Sequence, residues 1–399
     1  MSGHWLASMG LPADRGTLLR AMRLSDRAGV RPHGNQAITR LPLLLSGCWD
    51  ADGEPCTGGR LGLIVLALDG VGFEVADQLW TPDVMIPLST TFPSTSSSAW
   101  LSAVTGKRVD EHLVPGVRYR LPGISGLIDC FDDGPWGSTP QAGRPVIQTV
   151  FDRLAARGIS SLVIPGEVST WGAAWLEALC HGAHIRPSEA DWAILRQDPL
   201  RLTRVLLREL HRALSAADSS RWLFWCWIDL DDAIHLRGYA DDVLGALTEI
   251  EEAAIRWREL GHTVIAVSDH GLVPTFCTSG LADAWARATA PALCRLPPGG
   301  AGRVRWCYPR RRRGPEVSSR LAGALGETAL VVEREELADL GLLRLNRELR
   351  ARLGEIVAIS AGVQFPVPDP RNRFEHGGVT PAEMIVPLAV WLPGGGAGQ

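Results

Sequence analysis

Three apolar segments of this chain each end in an acidic residue. Residues 61–70 read LGLIVLALDG, 221–230 read RWLFWCWIDL and 262–271 read HTVIAVSDHG. Continuous apolar runs of this length are typical of strands that are buried on both faces, as in a parallel sheet. Segments with helical periodicity, such as 202–216 and 241–261, lie between them. We therefore expect an α/β fold built on a doubly wound, mostly parallel sheet.

The rest of the chain is interpreted around this core. Residues 1–60 are rich in turn formers, and we expect an N-terminal extension packed on the core. Residues 61–395 form the main domain, with cap insertions at about 107–142 and 273–320, where Pro, Gly and charged residues interrupt the strand–helix alternation. A chain of 399 residues is long enough for one large domain with such a cap.

Charge and cysteine content exclude several classes of protein. A net charge of −4 argues against a protein that coats nucleic acid, and the sequence contains no run of about 18 apolar residues that would predict a membrane span. No charged leader precedes an apolar run at the N-terminus. The eight cysteines form no CxxC pair, which favours reduced thiols and a cytoplasmic location. The oligomeric state stays open.

Six side chains of metal-binding types lie at or near these strand ends or in a glycine-rich loop. They are Asp69, Asp231, His235, Asp269, His270 and His376. Asp231 and His235 are about one helical turn apart, so on a helix both face the same way. Because ligand sites of open parallel sheets lie at the carboxyl ends of the strands, we expect the six to converge. Three carboxylates and three imidazoles suit zinc or a similar divalent ion and not calcium.

The order of these motifs resembles the alkaline phosphatase superfamily. The series is DG at 69–70, a Ser/Thr-rich turn into a helix that ends in TG at 105–106, DxxxH at 231–235, SDHG at 268–271 and HGG at 376–378. Its closest match is the branch of type I phosphodiesterases and nucleotide pyrophosphatases. The HGGxxPxEMxVP ending is shared with PglZ-like domains.

This resemblance extends over about residues 61–392 and implies an alkaline phosphatase-type fold. It also implies two divalent metal ions, zinc first and manganese as the alternative. One ion would be held by Asp231, His235 and His376. The other would be held by Asp69, Asp269, His270 and the oxygen of the nucleophile.

The nucleophile lies in the stretch TTFPSTSSSAWLSAVTG, residues 90–106. Its composition offers seven hydroxyls, from Thr90 to Ser98, and does not choose among them. Counting back from Thr105 as in this superfamily places the nucleophile at Ser96, with Thr95 second. The TFP motif would instead suggest Thr91, which then lies in the loop before the helix.

The implied activity is hydrolysis of a small phosphorylated substrate, as a phosphodiesterase or phosphomonoesterase. Ser96 would form a covalent phosphoserine intermediate, which metal-bound hydroxide then hydrolyses. At two places the sequence departs from the pattern of the phosphodiesterase members of this family. Ala99 occupies the position of a phosphate-binding Asn, and the segment after Thr105 keeps His112 but loses a Pro and a Gly. Lys107 or Arg108 is a candidate replacement for the missing donor.

Two other functions remain open at this point. The chain is alternatively a PglZ-like partner-binding module of a defence or regulatory system, or a phosphomutase of the same superfamily. Four further sets of residues are interpreted as structural or as neighbours of the ligands. They are Cys56 with Arg60, His181 with His184, Asp229 with Asp232, and Arg310 to Arg313.

Overall fold

The computed structural model describes residues 36–56, 61–131, 147–216 and 220–393. Most of the predicted extension 1–60 and the end of the first predicted insertion lie outside these ranges. Within them the strands, numbered β1 to β15 in chain order, are Leu63–Asp69, Val84–Ser89, Arg118–Arg120, Leu127–Asp129, Ser160–Ile164, His184–Ile185, Trp222–Asp229, Thr263–Ser268, Val273–Pro274, Cys294–Ala301, Val304–Pro309, Ala329–Glu333, Ile356–Ser360, Phe374–Glu375 and Ile385–Trp391.

Helices connect these strands. In chain order the α-helices of the described ranges are Leu41–Ser46, Phe73–Leu79, Ser96–Thr105, Val109–His112, Val150–Ala155, Ala173–Cys180, Trp192–Leu195, Pro199–Ser215, Asp231–Arg237, Asp241–Glu259, Ser279–Ala288, Gly314–Leu325, Glu336–Asp339, Arg347–Arg352 and Pro381–Met384. Short 3₁₀ turns span Ile38–Arg40, Gly166–Thr170 and Gly326–Thr328. In the described part of the chain, no helix combines the length and the hydropathy needed to cross a membrane.

The central sheet contains seven strands in the order β2-β15-β8-β1-β7-β5-β6. β1 runs parallel to both β7 and β8, and β5 runs parallel to both β6 and β7. β15 pairs antiparallel with β2 and β8. The predicted α/β class with a mostly parallel sheet is therefore confirmed.

Side chains of β1 alternate between two cores, one on each face of the sheet. Leu63, Val65 and Ala67 pack with helix Ser96–Thr105 on one face. The intervening residues Ile64 and Leu66 pack on the other face, where the long helices before and after β7 lie. Each fully buried aliphatic side chain contributes about 1.5–3 kcal/mol relative to exposure. Burial on both faces explains why the strand sequence shows no polar alternation.

A second sheet of six strands, β12-β13-β11-β10-β3-β4, forms the cap. It takes strands from both predicted insertions and also from residues 329–360, beyond them. The segment LPPGGAG, residues 296–302, lies in the predicted insertion 273–320, and most of it belongs to β10. Register shifts between β10 and β11 around Leu296 accommodate the Pro and Gly residues, which a regular central strand excludes.

Candidate active site

Strand pairing brings the acidic strand ends together. Asp69 and Asp229 lie opposite one another at the ends of β1 and β7. Asp269 follows β8, which pairs with β1 on its other side. Asp231 begins the helix that follows β7. Parallel neighbours end at the same edge of a sheet, so these four carboxylates share the position where open α/β sheets bind ligands.

The first set of candidate ligands is Asp69, Asp269 and His270. Their ligand atoms all lie within 4.8 Å of one another, and all three side chains are buried. His270 Nε2 is 3.6 Å from Asp69 Oδ1 and 3.4 Å from Asp269 Oδ2. The hydroxyl of Ser96 donates to Asp69 Oδ1 at 3.2 Å and lies 3.1 Å from His270 Nε2. This arrangement brings together the members of the predicted metal site that includes the nucleophile oxygen.

The second set is built around Asp231. His235 Nε2 lies 3.0 Å from Asp231 Oδ2, and His376 Nε2 lies 4.0 Å from the same oxygen. The Nδ1 atom of His235 donates to Phe374 O at 2.8 Å, and that of His376 donates to Ser94 O at 2.9 Å. These backbone acceptors fix the tautomer of both rings. Each Nε2 faces Asp231, and its lone pair would serve a metal ion bound in place of the ring proton.

Burial and repulsion shift the titration of these groups. Burial raises the pKa of Asp69 well above its usual range, and the nearby Asp269 and Asp231 carboxylates raise it further. Burial also lowers the pKa of His270, with His376 adding to the effect. Burial acts to lower the pKa of His235 as well, but Asp231 and Glu375 outweigh it and raise the pKa to about 10. A bound cation would remove the repulsion among the carboxylates.

Unpartnered atoms show that this set of donors fits divalent cations. Among the described residues, Asp231 Oδ1 and Asp269 Oδ2 are buried and have no hydrogen-bond partner. Buried carboxylate oxygens without a partner are costly. Each of the two sets also supplies both carboxylate oxygens and imidazole nitrogens, which suits zinc or manganese.

Ser96 is the first residue of helix Ser96–Thr105, and Thr95 is its N-cap. Both residues line the cavity described below. Ser96 contacts two predicted ligands, whereas the buried hydroxyl of Thr95 has no hydrogen-bond partner within the described ranges. The hydroxyl of Thr91 donates to Pro93 O at 2.8 Å. Of the three nucleophile candidates, Ser96 therefore has the geometry closest to the predicted role.

Sequence reasoning missed Asn372, Glu375 and Glu167, which lie beside the candidate ligands. Asn372 donates to Glu375 Oε1 at 2.8 Å, beside His235. Glu167 lies in the 3₁₀ turn after β5 and forms an acidic cluster with Asp229 and Asp232, separate from the two sets of candidate ligands. In this cluster, burial raises the pKa of Asp229 to about 7, and the nearby carboxylates of Asp232 and Asp231 contribute to the increase. These residues stand in no motif, so only their spatial position reveals them.

The turn between β10 and β11 joins the cap to the second ligand set. The backbone N–H of Arg303 donates to His376 O at 2.8 Å. Gly302 lies beside it at a φ of +39°, and a Cβ at this position would collide with the same carbonyl oxygen. Glycine is therefore required here both by backbone conformation and by space.

Other predicted candidates lie away from the site. Lys107 pairs with Glu111 at 3.2 Å and Arg108 with Asp110 at 2.9 Å, and neither cation lines the cavity. His181 pairs with Asp152 at 2.8 Å on the surface. In the Arg310–Arg313 run, Arg310 donates to Pro291 O and Arg313 pairs with Glu316. Arg60 lies outside the described residues.

His112 is buried beside the C-terminal half of the Ser96–Thr105 helix and holds the loop that follows it. Its Nδ1 accepts from the Val114 N–H at 3.1 Å, so Nε2 carries the proton and donates to Ser102 Oγ at 3.1 Å. Burial lowers the pKa of His112 to about 3. The folded protein therefore keeps this ring neutral at pH values where the unfolded chain binds a proton.

We expect the free energy of unfolding to fall as the pH drops from 7 to 5, because the unfolded state takes up a proton at His112 that the folded state excludes. One such group contributes about 1.4 kcal/mol per pH unit between the two pKa values. His112→Asn should flatten this dependence, and His184→Asn, at an exposed position on β6, should not. Urea denaturation at pH 7, 6 and 5 measures the slopes. An unchanged slope in His112→Asn would contradict this interpretation.

A cavity of about 540 Å³ opens over the two sets of ligands. The core contributes Asp69, Ser96 and Asp231 to its wall, and the cap contributes Gly300 and Arg305. This volume is in the range of small-molecule sites.

Comparison with known proteins identifies a family. Residues 63–361 match the type I phosphodiesterase/nucleotide pyrophosphatase family. No curated protein matches the chain.

Solved structures with the same fold include two enzymes at low sequence identity. The inactive form of murine ectonucleotide pyrophosphatase/phosphodiesterase 5 in complex with AMP aligns with a TM-score of 0.60 and 15% identity, covering 84% of this chain and 88% of that chain. Phosphonoacetate hydrolase from Sinorhizobium meliloti 1021, in complex with phosphonoacetate, aligns with a TM-score of 0.57 and 16% identity, covering 84% and 91%. The family match over most of the chain shows that this protein belongs to the type I phosphodiesterase/nucleotide pyrophosphatase family of the alkaline phosphatase superfamily, and it is a phosphoester hydrolase.

Proposed function

We propose that this protein hydrolyses phosphoric esters of small molecules at a two-metal centre, with Ser96 as the nucleophile. The observation that carries the proposal is the position of the Ser96 hydroxyl. It stands at the N-terminus of a ten-residue helix, in contact with both Asp69 and His270. An unassisted serine hydroxyl is a weak nucleophile at neutral pH, so its activation depends on these neighbours.

The two sets of ligands would hold one ion each, zinc first and manganese as the alternative. Asp231, His235 and His376 would hold one, and Asp69, Asp269 and His270 would hold the other together with the Ser96 oxygen. When bound, such ions lower the pKa of the attacking hydroxyl and stabilise charge on the attacking and leaving oxygens.

The residues of the chain then account for the remaining steps. Asp69 Oδ1 orients the Ser96 hydroxyl through the hydrogen bond described above. The Ser96 hydroxyl loses its proton and its oxygen bonds to phosphorus as the bond from phosphorus to the ester oxygen breaks, and the leaving alcohol departs with a proton. Water then attacks the phosphorus of this phosphoserine, the bond to the Ser96 oxygen breaks, and one proton of the water returns to Ser96. Phosphate leaves when the substrate is a monoester, and a phosphomonoester leaves when it is a diester.

The backbone N–H groups of Ser96 and Ser97 suit the phosphoryl oxygens, whereas those of Ser98 and Ala99 already donate to Thr95 O at 3.1 and 2.9 Å. The first N–H groups of a helix have no helical acceptor, and the helix dipole favours an anion at this end. Ala99, which replaces the Asn of related phosphodiesterases, is fully buried and donates nothing to the cavity. We therefore assign phosphate binding on this side to the backbone of the helix start.

Metal dependence tests the proposal. We expect chelator-treated protein to be inactive on p-nitrophenyl phosphate and bis-p-nitrophenyl phosphate, and zinc or manganese to restore activity. The ratio of the two rates then assigns monoester or diester preference. Asp231→Asn should bind about one ion fewer per chain, because it removes the carboxylate shared by His235 and His376. Metal content and initial rates are the measurements.

Asp241→Asn is the matched control, since it makes the same change at an exposed helix start. It should keep both the metal content and the rate. Activity that persists without any metal would contradict the proposal. Two bound ions without turnover on either ester would favour a partner-binding module instead.

A further inference from the structure

Arg305 differs from the other arginines that line the cavity. The others are each ion-paired: Arg118 with Asp129 at 2.7 Å, Arg196 with Asp232 at 3.9 Å and Arg371 with Asp369 at 2.6 Å. Among the described residues, no carboxylate oxygen lies within 4.0 Å, the limit for an ion pair, of a guanidinium nitrogen of Arg305. Its charge therefore faces the cavity without a direct counter-charge.

Backbone carbonyls hold the Arg305 side chain in place. Nε donates to Gly299 O at 3.1 Å, Nη2 to Pro298 O at 3.3 Å and Nη1 to Pro366 O at 3.4 Å. The guanidinium also lies 6.0 Å from the centre of the Trp285 ring. These contacts use three of the five N–H donors of an arginine, which leaves two free. The side chain is fixed, but its charge is not neutralised.

Burial makes this arrangement costly without a partner. It lowers the pKa of the Arg305 guanidinium, and the charge of Arg118 acts in the same direction. Glu375 opposes the shift from beyond ion-pair distance. A partly buried cation at a ligand cavity gains most from an anion that arrives with the ligand, since a planar guanidinium binds oxyanions through paired hydrogen bonds.

The wall beside Arg305 consists of backbone without large side chains. Gly299, Gly300 and Gly302 all line the cavity there. Gly300 has a φ of +107°, and a Cβ on it would collide with Val304 O. A ligand can therefore approach Arg305 closely along this strand.

We propose that Arg305 binds a second oxyanion, carried by the leaving group of the substrate. This inference rests on the proposed function, which places the phosphoryl group at Ser96 in the same cavity. The substrates are then phosphoric esters whose alcohol part bears a carboxylate or another phosphate. Esters of uncharged alcohols bind without this contact and are poorer substrates.

Binding of paired phosphonates tests this inference. Ethyl-, propyl- and butylphosphonate are compared with phosphonocarboxylates of matching length, by calorimetry on metal-loaded protein. We expect wild type to bind at least one phosphonocarboxylate about tenfold more tightly than its uncharged partner, as for one charge-assisted hydrogen bond. Arg305→Met should lose this preference and keep its affinity for the alkylphosphonates. A parallel series of alkylbisphosphonates shows whether carboxylate or phosphate is preferred.

Two further variants separate charge from packing. Arg305→Lys should keep part of the preference, because it retains the charge. Arg371→Met removes another arginine from the cavity wall, one already paired with Asp369, and should keep the preference in full. Equal affinities for the phosphonocarboxylate and the alkylphosphonate of every pair would overturn this inference and leave the proposed function intact. A preference for the phosphonocarboxylate that survives in Arg305→Met would do the same. Failure of every phosphonate to bind would overturn the proposed function and this inference with it.

Discussion

Replacing Ser96 with alanine is expected to lower kcat for a p-nitrophenyl ester by about a thousandfold or more, while both metal ions still bind. Removing the nucleophile of a covalent mechanism has effects of this size or larger. The six carboxylate and imidazole ligands are untouched, so metal content should stay close to that of wild type. Initial rates and metal analysis on the same preparation separate the two effects.

Ser97→Ala is the control for this substitution. Ser97 is the next residue of the same helix turn, is fully buried, and its hydroxyl has no hydrogen-bond partner in the described part of the chain. Its removal should leave kcat close to wild type. Peptide mapping after acid quenching of turnover should find the phosphoryl group on Ser96. Phosphoryl transfer to Thr95, or full activity in Ser96→Ala, would refute the assignment.

Replacing Glu383 with alanine is expected to lower the free energy of unfolding by about 3–5 kcal/mol, the cost of leaving one member of a buried ion pair without its partner. Glu383 and Arg303 are both fully buried, with Oε1 of the glutamate 3.0 Å from Arg303 Nε. Glu383 also accepts from the backbone N–H groups of Gly378 and Thr380 at 2.8 and 3.3 Å. Its loss would leave the Arg303 charge unpaired and would release the loop after His376.

Urea denaturation of the metal-free protein measures this effect without the contribution of bound metal. Glu249→Ala is the matched control, because Glu249 pairs with Arg204 at 2.6 Å on partly exposed helix surfaces. A pair of that kind contributes about 0–1 kcal/mol. If Glu383→Ala costs no more than Glu249→Ala, then the buried pair does not stabilise this loop.

The sequence allowed the central sheet to be predicted because its signal is local. Continuous apolar runs and helical periodicity follow from burial on two faces, so β1, β7 and β8 could be recognised one at a time. The cap could not be predicted in this way. In its sheet, Gly300 pairs with Arg118 and Arg305 with Ala358, positions far apart in the sequence. Bulged strands rich in Pro and Gly have no periodic signal.

The residues of the candidate site likewise differ in whether the local sequence reveals them. Asp69, Asp269 and His270 could be proposed as ligands because each directly follows a recognisable strand or motif. Glu167 and Arg305 could not, since nothing near them in the sequence distinguishes them from ordinary surface charges. Their importance comes only from what the fold places beside them: two acidic neighbours for Glu167 and an open cavity for Arg305.

The contact between the β10–β11 turn and His376 limits how this protein can diversify. New substrate preferences arise most readily in lineages whose recognition loops vary independently of the catalytic centre. Here Gly302 and the backbone of Arg303 contact the carbonyl of His376, so substitutions that shift this cavity-lining hairpin would also displace a candidate metal ligand. We therefore expect relatives with different substrates to keep this turn and to vary the side chains farther along β3, β10 and β11.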